Sequence, residues 1–513
     1  MSTQQKRLFW DKKVSLSVLG LLGLIFSLSH AETDRMLKPK AMKADFEFLC
    51  ENIVDIHPNI YANFPKEEFE AERQKLMEEF NTPMPIDGFY YRLVEFIAKV
   101  RDDHTYVSES DQIKKSWEYL PLYLKWFGNE LRIIEAVGLH KNILKGAKIV
   151  SLGGLSPDQL LSKLRNYSFA ENEYWVKEYY TNDILRKSLL NHITSTNWRD
   201  SVPIIVIPDT ASEQIEFQLS LVPFGQRLKV EIQKTPYFEY RVLDDIQAIH
   251  FIFRNFFDDQ VIRNLGEERA TQYGLVKSGD FKDFLKDMFE KACAQKIQYI
   301  IIDLRQNTGG NSILGFQFLR YVDTERKSIK EFTYQQKLSK FMTYKYRLTP
   351  WGRFKAKILG MWPKNLGQLT PLEEEGLDQA LNNENSVFYM PPIDERLRFK
   401  GKLICLTSNR TFSSAMDFAT ILSDNQLAVL AGEPTGGKPE SFGDVLSRKL
   451  PHTGFRLGVS YKTFHRPDST RKDEVSLFPD HEVVTTYEDF KNGIDPVMKY
   501  TKEWIKTDRS KIR

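Results

Sequence analysis

Ile300-Ile301-Ile302-Asp303-Leu304-Arg305-Gln306-Asn307-Thr308-Gly309-Gly310 has the pattern of a fully buried strand that runs directly into a glycine turn. Two more continuous apolar runs, at 403–407 and 427–431, alternate with segments of helical spacing at 313–322 and 415–422. Uninterrupted apolar strands that alternate with helices are typical of a parallel sheet covered on both faces. We therefore predict an α/β fold for the second half of the chain.

A second segment, Thr411-Phe412-Ser413-Ser414-Ala415-Met416-Asp417, places two serines where one of these helices begins. Ser413 is expected to cap the helix, because serine is a favoured N-cap residue. Ser414 would then lie on the first turn, where the helix dipole favours developing negative charge. The segment lacks the GxSxG pattern of α/β-hydrolases. We predict that Ser414 is a nucleophile.

Two residues compete for the role of its general base. Lys438 follows in Gly432-Glu433-Pro434-Thr435-Gly436-Gly437-Lys438, but a lysine base must lose its proton near neutral pH, which requires a nearly buried ammonium. His104 lies in a polar turn, and Asp102 and Asp103 could orient its ring; imidazole titrates close to the working pH. The residues alone leave the choice open.

The glycine turn could supply the amides that bind an oxyanion in the same site. Gly309 and Gly310 allow close approach of the backbone to a ligand, and either amide could bind a developing oxyanion together with the amide of Ala415. Asp303 and Arg305 more simply form an ion pair or turn network at the end of the strand. The two segments therefore predict one site for acyl transfer.

The pattern of apolar and polar residues divides the chain into a predicted signal peptide and three predicted domains. Residues 1–31 resemble a signal peptide, with a basic start, an apolar run too short for the roughly 20 residues of a bilayer-spanning helix, and a Ser29-His30-Ala31 cleavage site. We predict export, most simply to a bacterial periplasm, and no stable membrane insertion after cleavage. The expected domains are an N-terminal helical domain at 32–115, a β-rich module with a helical insertion at 116–225, and a catalytic domain at 226–513 with an insertion at about 323–398.

Composition and motifs argue against several kinds of partner and site. The formal net charge of +3 resides in residues 1–31, so nothing favours nucleic acid as a partner. Three cysteines without a CxxC pair indicate free thiols, buried for Cys293 and Cys405, and HExxH is absent, so neither a metal nor a cofactor is expected. The segment 432–438 nearly matches a Walker motif, but Pro439 replaces its Ser/Thr.

At these residues the chain resembles the tail-specific, or C-terminal-processing, serine peptidases, known as peptidase family forty-one. The resemblance rests on Asp303-Leu-Arg-x-Asn307-x-Gly309-Gly310, on Ser414-Ala415, on the segment 432–438, and on Pro479-Asp480 followed by Gly493-x-Asp495. It implies a crotonase-like catalytic core with Ser414 as nucleophile, Lys438 as base, and an oxyanion hole from Ala415 and one glycine. Residues 146–161 resemble the PDZ-type module of the family.

The chain also departs from the family pattern. Phe442 stands where members with a Ser/Lys dyad carry a supporting glutamine, and the stretch before the helix is one residue shorter. Other members use an N-terminal histidine, in a turn resembling Asp103-His104-Thr105, with a distant glutamate for which Glu474 and Glu482 are candidates.

The resulting hypothesis is a periplasmic serine endopeptidase that acts on exported proteins or peptides through an acyl-enzyme, without a cofactor. The PDZ-like module would hold an extended peptide by strand addition. Two alternatives are a non-catalytic protein that binds peptides or an apolar ligand on the same scaffold, and an envelope esterase or amidase with a closed pocket.

Overall fold

The computed structural model describes residues 35–138, 140–227, 235–266, 274–322, 329–341, 367–372, 381–386 and 389–512. The predicted signal peptide at 1–31 and part of the predicted insertion at 323–398 lie outside the described residues. Among the helices of the described part, none is both long enough and apolar enough to cross a membrane.

The N-terminal region is helical, as its periodicity predicts. Its apolar positions, among them Phe46, Leu49 and Ile53, are fully buried. The elements in chain order are β1 (Met36–Leu37), α1 (Pro39–Ile56), α2 (Lys66–Glu79), β2 (Met84–Pro85), α3 (Ile86–Ala98), β3 (Tyr106–Ser108), α4 (Asp111–Ser116) and β4 (Glu118–Tyr119).

A five-stranded antiparallel sheet follows, in which the strands β5 to β9 neighbour one another in chain order. Ser156 and Gln159 form a capping box at the start of its first long helix, which confirms the predicted strand, turn and capped helix. The elements are β5 (Leu122–Phe127), β6 (Glu130–Ala136), α5 (Lys141–Leu144), β7 (Lys148–Leu152), α6 (Pro157–Leu164), α7 (Glu173–Trp175), a π-helical segment (Val176–Tyr180), α8 (Lys187–Thr194), β8 (Ser201–Ile207), β9 (Ile215–Ser220) and β10 (Val222–Pro223).

The second half contains a six-stranded sheet in the order β11-β12-β13-β16-β17-β20. The pair β11 and β12 is antiparallel and the other four pairings are parallel, so the expected parallel sheet is confirmed. Its strands are β11 (Phe238–Leu243), β12 (Ala248–Phe253), β13 (Tyr299–Asp303), β16 (Lys402–Thr407), β17 (Ala428–Gly432) and β20 (His481–Glu482). Its helices are α9 (Asp259–Leu265), α10 (Phe281–Ala294), α11 (Ile313–Leu319), α12 (Ser414–Asp424), α13 (Tyr487–Lys491) and α14 (Pro496–Ile512).

Both faces of this sheet are covered, which is why its strands are apolar throughout. Alternate residues such as Ile300 and Ile302 pack against α10, α11 and α12 on one face. Tyr299 and Ile301 point to the opposite face and pack with Val497 from α14. At the ends of the strands Arg305 forms ion pairs with Asp303 and Asp495, which is the structural network expected there.

A second sheet connects the two halves of the chain. Its order is β15-β14-β19-β18, formed by β14 (Thr333–Lys337), β15 (Leu369–Leu372), β18 (Ser441–Lys449) and β19 (Arg456–His465). Strand β3 also pairs with β19, with Val107 opposite Leu457. The Ser460 amide donates to Thr105 Oγ1 at 3.0 Å. These contacts bring the turn that carries His104 to the C-terminal half.

The hydrophobic core of the N-terminal region is continuous with its neighbours. Buried residues of α1–α3, of the β5–β9 sheet and of β18 and β19 form one cluster. The three cysteines are free, as predicted. Cys50 and Cys405 are buried, whereas Cys293 is exposed, so the predicted burial of Cys293 is wrong. It falls on the solvent side of α10.

Candidate active site

Ser413 occupies a strained turn between β16 and α12. Its backbone has φ +52° and ψ −133°, in a region that costs a non-glycine residue on the order of 1–3 kcal/mol. Its side chain makes no capping hydrogen bond, so the predicted cap is wrong. A strained turn from strand to helix is also the arrangement that exposes a nucleophilic hydroxyl in other hydrolases.

The hydroxyl of Ser413 faces His104. Ser413 Oγ lies 3.4 Å from His104 Nε2, and the imidazole ring stacks on Phe412 with 5.3 Å between ring centroids. The side chain of His104 remains 23% exposed. Catalytic hydrogen bonds are often long before substrate binds, so this is a suitable distance for a serine and its base.

The glycine turn packs directly against these residues. A Cβ on Gly309 would lie 2.8 Å from the Cβ of Ser413, so only glycine fits there. The Gly309 amide donates to Asn307 Oδ1 at 2.9 Å, and the Ala415 amide donates to Phe412 O at 3.2 Å. Two of the three predicted oxyanion donors, the amides of Gly309 and Ala415, are therefore occupied.

Two other amides at this position have no acceptor among the described residues. They belong to Gly310, which was predicted as a donor, and to Ser414. The Ser414 nitrogen lies 3.0 Å from the Cβ position of Gly309, so the glycine turn and the start of α12 adjoin. These amides are the free donors that an oxyanion requires.

The Ser414 hydroxyl is buried behind the turn. It donates to Gly310 O at 2.9 Å and accepts from Ser312 Oγ at 2.8 Å. Through these two hydrogen bonds the Ser414 side chain holds the glycine turn in place. This geometry does not suit the nucleophilic role predicted for Ser414, because its hydroxyl is already engaged on the far side of the turn.

Lys438 is half-buried, and its backbone amide donates to Glu171 Oε2 at 2.8 Å. Within the described residues no hydrogen bond or ion pair joins its ammonium to Ser413 or Ser414. The structure therefore brings His104, and not the side chain of Lys438, into contact with a serine.

A buried carboxylate lies beside His104. Asp102 accepts hydrogen bonds from the amide of His104 at 3.0 Å and from His57 Nε2 at 3.1 Å, and its Oδ1 is 3.9 Å from His104 Nδ1. The amide of Asn59 donates to His57 Nδ1, which leaves the proton of His57 on Nε2. Although burial opposes ionisation, the hydrogen bond from His57 lowers the pKa of Asp102 to about 2.

Glu171 is the second acid at this position. One ligand atom of each of Asp102, His104 and Glu171 lies within 4.8 Å of the others. Burial, reinforced by repulsion from Asp102, raises the pKa of Glu171 well above its ordinary range. The pKa values of the two carboxyl groups are thus driven in opposite directions, as expected for two acids that share a site.

The predicted acidic partners lie elsewhere. Glu474 pairs with Arg466 and Arg471, and Glu482 is exposed on β20. The departure at Phe442 has a structural reason, since its ring packs on His57 with 4.6 Å between centroids. An aromatic residue at 442 supports the histidine that hydrogen-bonds Asp102.

Trp175 links the two turns of the site. Its indole stacks on Phe412 with 4.2 Å between centroids, and its Nε1 donates to Asp103 Oδ2 at 2.7 Å. Asp103 also accepts from the Tyr180 hydroxyl. Asp103 therefore anchors the turn of His104 to the helical insertion and does not contact the imidazole.

Replacing Trp175 with phenylalanine should keep the stacking on Phe412 but remove the hydrogen bond to Asp103. We expect a loss of about 1–3 kcal/mol in the free energy of unfolding, because Asp103 loses a buried donor, and a rate of serine acylation lower by about tenfold. Urea unfolding and fluorophosphonate labelling measure the two effects. Trp126→Phe is the matched control: the Trp126 indole donates to Thr181, and neither residue lines the cleft of Ser413 and His104, so labelling should not change. An unchanged rate in Trp175→Phe would contradict this role.

Sequence patterns did not single out His57, Glu171 or Trp175. His57 contacts Asp102 across 45 residues of the chain, and Glu171 contacts the amide of Lys438 across 267 residues. Contacts between residues so far apart in the chain produce no local sequence pattern. The available signal was the polar turn 101–106, in which Asp102 was expected to orient His104.

Comparisons with known proteins identify a family and a fold that this chain resembles. Residues 268–483 match the sequence model described as Peptidase family S41. No curated protein matches the chain significantly. The chain is similar to the structure of mature CPAF complexed with lactacystin, with TM-score 0.61, 13% identity, and coverage of 91% of this chain and 98% of that one. For the crystal structure of mature CPAF the TM-score is 0.59, the identity 14%, and the coverage 92% and 98%.

At this level of identity the structural likeness shows a shared fold. The match of residues 268–483 covers the glycine turn, both serines and Lys438, whereas His104 is contributed from outside it. Residues 268–483 therefore match peptidase family S41, as the predicted resemblance requires, and this match supports a serine-type peptidase.

Proposed function

We propose that Ser413 is the nucleophile and His104 the general base of an endopeptidase that cleaves proteins or peptides through an acyl-enzyme. The observation that carries this assignment is the 3.4 Å contact between Ser413 Oγ and His104 Nε2 at a strained turn. The assignment replaces Ser414 and Lys438, whose side chains are engaged elsewhere or make no contact with the serine.

The chemistry follows from the positions of the atoms. Ser413 Oγ attacks the peptide carbonyl while His104 Nε2 takes its proton, and the amides of Gly310 and Ser414 stabilise the oxyanion. The amine leaves with the proton returned by His104, and water then hydrolyses the ester by the same route. The ionised carboxylate of Asp102 faces Nδ1 and stabilises the imidazolium.

A peptide fits the surroundings of this serine. Ser441, Phe442 and Gly443, at the start of β18, line the same cleft as Ser413 and His104. Strand β18 pairs with β19 on one side, and no described strand pairs with its other side. An extended substrate can add to this edge, which supports an open peptide groove over the closed pocket of an esterase or amidase.

We also propose that the second half of the chain forms a crotonase-like catalytic core and that the sheet β5–β9 belongs to a PDZ-like module. The sheet β5–β9 would hold a peptide by strand addition, but the Asn182 side chain already bonds both backbone groups of Leu124 on β5. Strand addition to this sheet would therefore use β9. Export to the periplasm rests on residues 1–31 alone.

The test of the proposed function is labelling of the purified protein with a fluorophosphonate, followed by mass spectrometry of the modified peptide. We expect one adduct, on Ser413, together with hydrolysis of an unstructured protein substrate. Absence of both would favour a non-catalytic binding protein.

Asp102 should influence stability as well as catalysis. Its depressed pKa means that the folded state binds this proton less readily than the unfolded state. Above pH 4 the carboxylate therefore contributes about 2 kcal/mol to the free energy of unfolding, and this contribution is lost as the pH falls toward 2. The difference in unfolding free energy between wild type and Asp102→Asn should therefore shrink over this window in urea titrations. Labelling of Asp102→Asn at pH 7 should be slower by about 10²-fold. A constant difference between pH 5 and pH 2 would contradict an ionised Asp102.

A further inference from the structure

Asp417 lies one helical turn beyond Ser413 and faces the same cleft. Its amide donates to Ser413 O at 2.9 Å, so the two residues share one side of the start of α12. The cleft that contains Ser413 and His104 is also lined by Asp417 and is open to solvent. A substrate held at Ser413 must therefore pass close to this carboxyl group.

The carboxyl group of Asp417 has no hydrogen bond or ion pair within the part of the chain that the structure describes. The other titratable groups of the cleft are His104, Glu171 and Asp444, and Asp444 is already paired with Lys462. Burial, with a contribution from Asp444, raises the pKa of Asp417 to about 8. Asp417 is half-buried, and a partly desolvated acid without a partner is costly, so a bound cation would relieve that cost.

The walls around Asp417 suit the stem of a long basic side chain. Phe412, Met416, Phe442 and Phe464 line the cleft and provide apolar surface next to the carboxyl. Arginine and lysine commonly bury their methylene stems along such surfaces while their charged ends reach an acid. Arginine can in addition bind a carboxylate through two hydrogen bonds.

We propose that Asp417 is a specificity residue that selects substrates with arginine or lysine next to the scissile bond. The inference rests on the proposed function, because it places the substrate by its contact with Ser413. Binding the cationic side chain forms a carboxylate–guanidinium or carboxylate–ammonium pair, with release of the proton of Asp417 to solvent when the free enzyme holds it.

The experiment uses fluorogenic peptides in which arginine is scanned across the three residues on each side of the cleaved bond. Each peptide is compared with its citrulline counterpart, which has nearly the same shape without the charge. At one position kcat/KM for arginine should exceed that for citrulline by about 10- to 100-fold. Asp417→Asn should reduce this ratio to below threefold. Asp468→Asn, which removes a half-buried carboxylate that lies outside the cleft and caps the turn Ser469–Arg471, should retain this ratio.

The pH dependence of the same ratio provides a second test. Because the pKa of Asp417 is raised, the free enzyme holds the proton below about pH 8, and the arginine-to-citrulline ratio should rise between pH 6.5 and 9. Any pH effect on the catalytic step that is common to both peptides cancels in the ratio. In Asp417→Asn the ratio should be independent of pH.

Failure of the inference is distinguishable from failure of the proposed function. If wild-type protein is not labelled by a fluorophosphonate, the proposed function fails. If it is labelled and cleaves peptides, but the ratio stays below threefold at every position or survives Asp417→Asn, the assignment of Asp417 is wrong and the catalytic assignment stands.

Discussion

Replacing Ser413 with alanine should abolish fluorophosphonate labelling and lower peptide hydrolysis by at least about 10⁴-fold, because the attacking oxygen is removed. The free energy of unfolding should change little. Alanine meets the same backbone strain at φ +52° as serine does, and the Ser413 side chain makes no capping hydrogen bond whose loss would cost stability. Labelling kinetics and urea unfolding of the same preparation measure both quantities.

Ser414→Ala is the matched control, since it removes the same atom from the neighbouring residue. This variant should still be labelled, at a rate lower by about tenfold, because Gly310 O loses the hydrogen bond that holds the glycine turn. It should also lose about 1–3 kcal/mol of stability, since Ser312 and Gly310 are left without a buried partner. If Ser414→Ala is inert while Ser413→Ala reacts, the nucleophile is Ser414 and the geometric argument fails.

The second large effect concerns the base. His104→Ala should lower the rate of acylation at pH 7 by about 10²- to 10⁴-fold, the usual contribution of a positioned general base. Added imidazole should restore part of the rate by entering the space left beside Phe412. Stopped-flow or gel-based labelling of the variant with and without imidazole measures both results.

Lys438→Ala should lower the same rate by less than tenfold. The substitution keeps the backbone amide that bonds Glu171, so it tests the ammonium alone. A loss of 10²-fold or more in Lys438→Ala, with His104→Ala near wild type, would restore the Ser/Lys dyad that the family pattern suggests.

The fold follows from local patterns to a large extent. The helices α1–α3, the hairpin β8–β9 and the parallel strands β13, β16 and β17 lie where periodicity and apolar runs predict them. These elements are determined locally, because the period of the buried face and the capping residues are written within each segment. The pairing of β3 with β19 is different, since it joins strands more than 300 residues apart and leaves no local signature.

The sequence by itself determined the parts of the site: a serine pair before a helix, a glycine turn after a buried strand, and a histidine that follows two aspartates. Tertiary structure decided which part does what. Two features distinguish Ser413 from Ser414: the strained backbone of Ser413 at φ +52°, and the hydrogen bond that engages the Ser414 hydroxyl with Gly310 O. The choice between His104 and Lys438 depends on the β3–β19 pairing, which places a residue of the N-terminal region 3.4 Å from the serine. The choice of nucleophile and the choice of base both depend on three-dimensional packing, because contact between distant segments is set by the whole core and not by the spacing of residues along the chain.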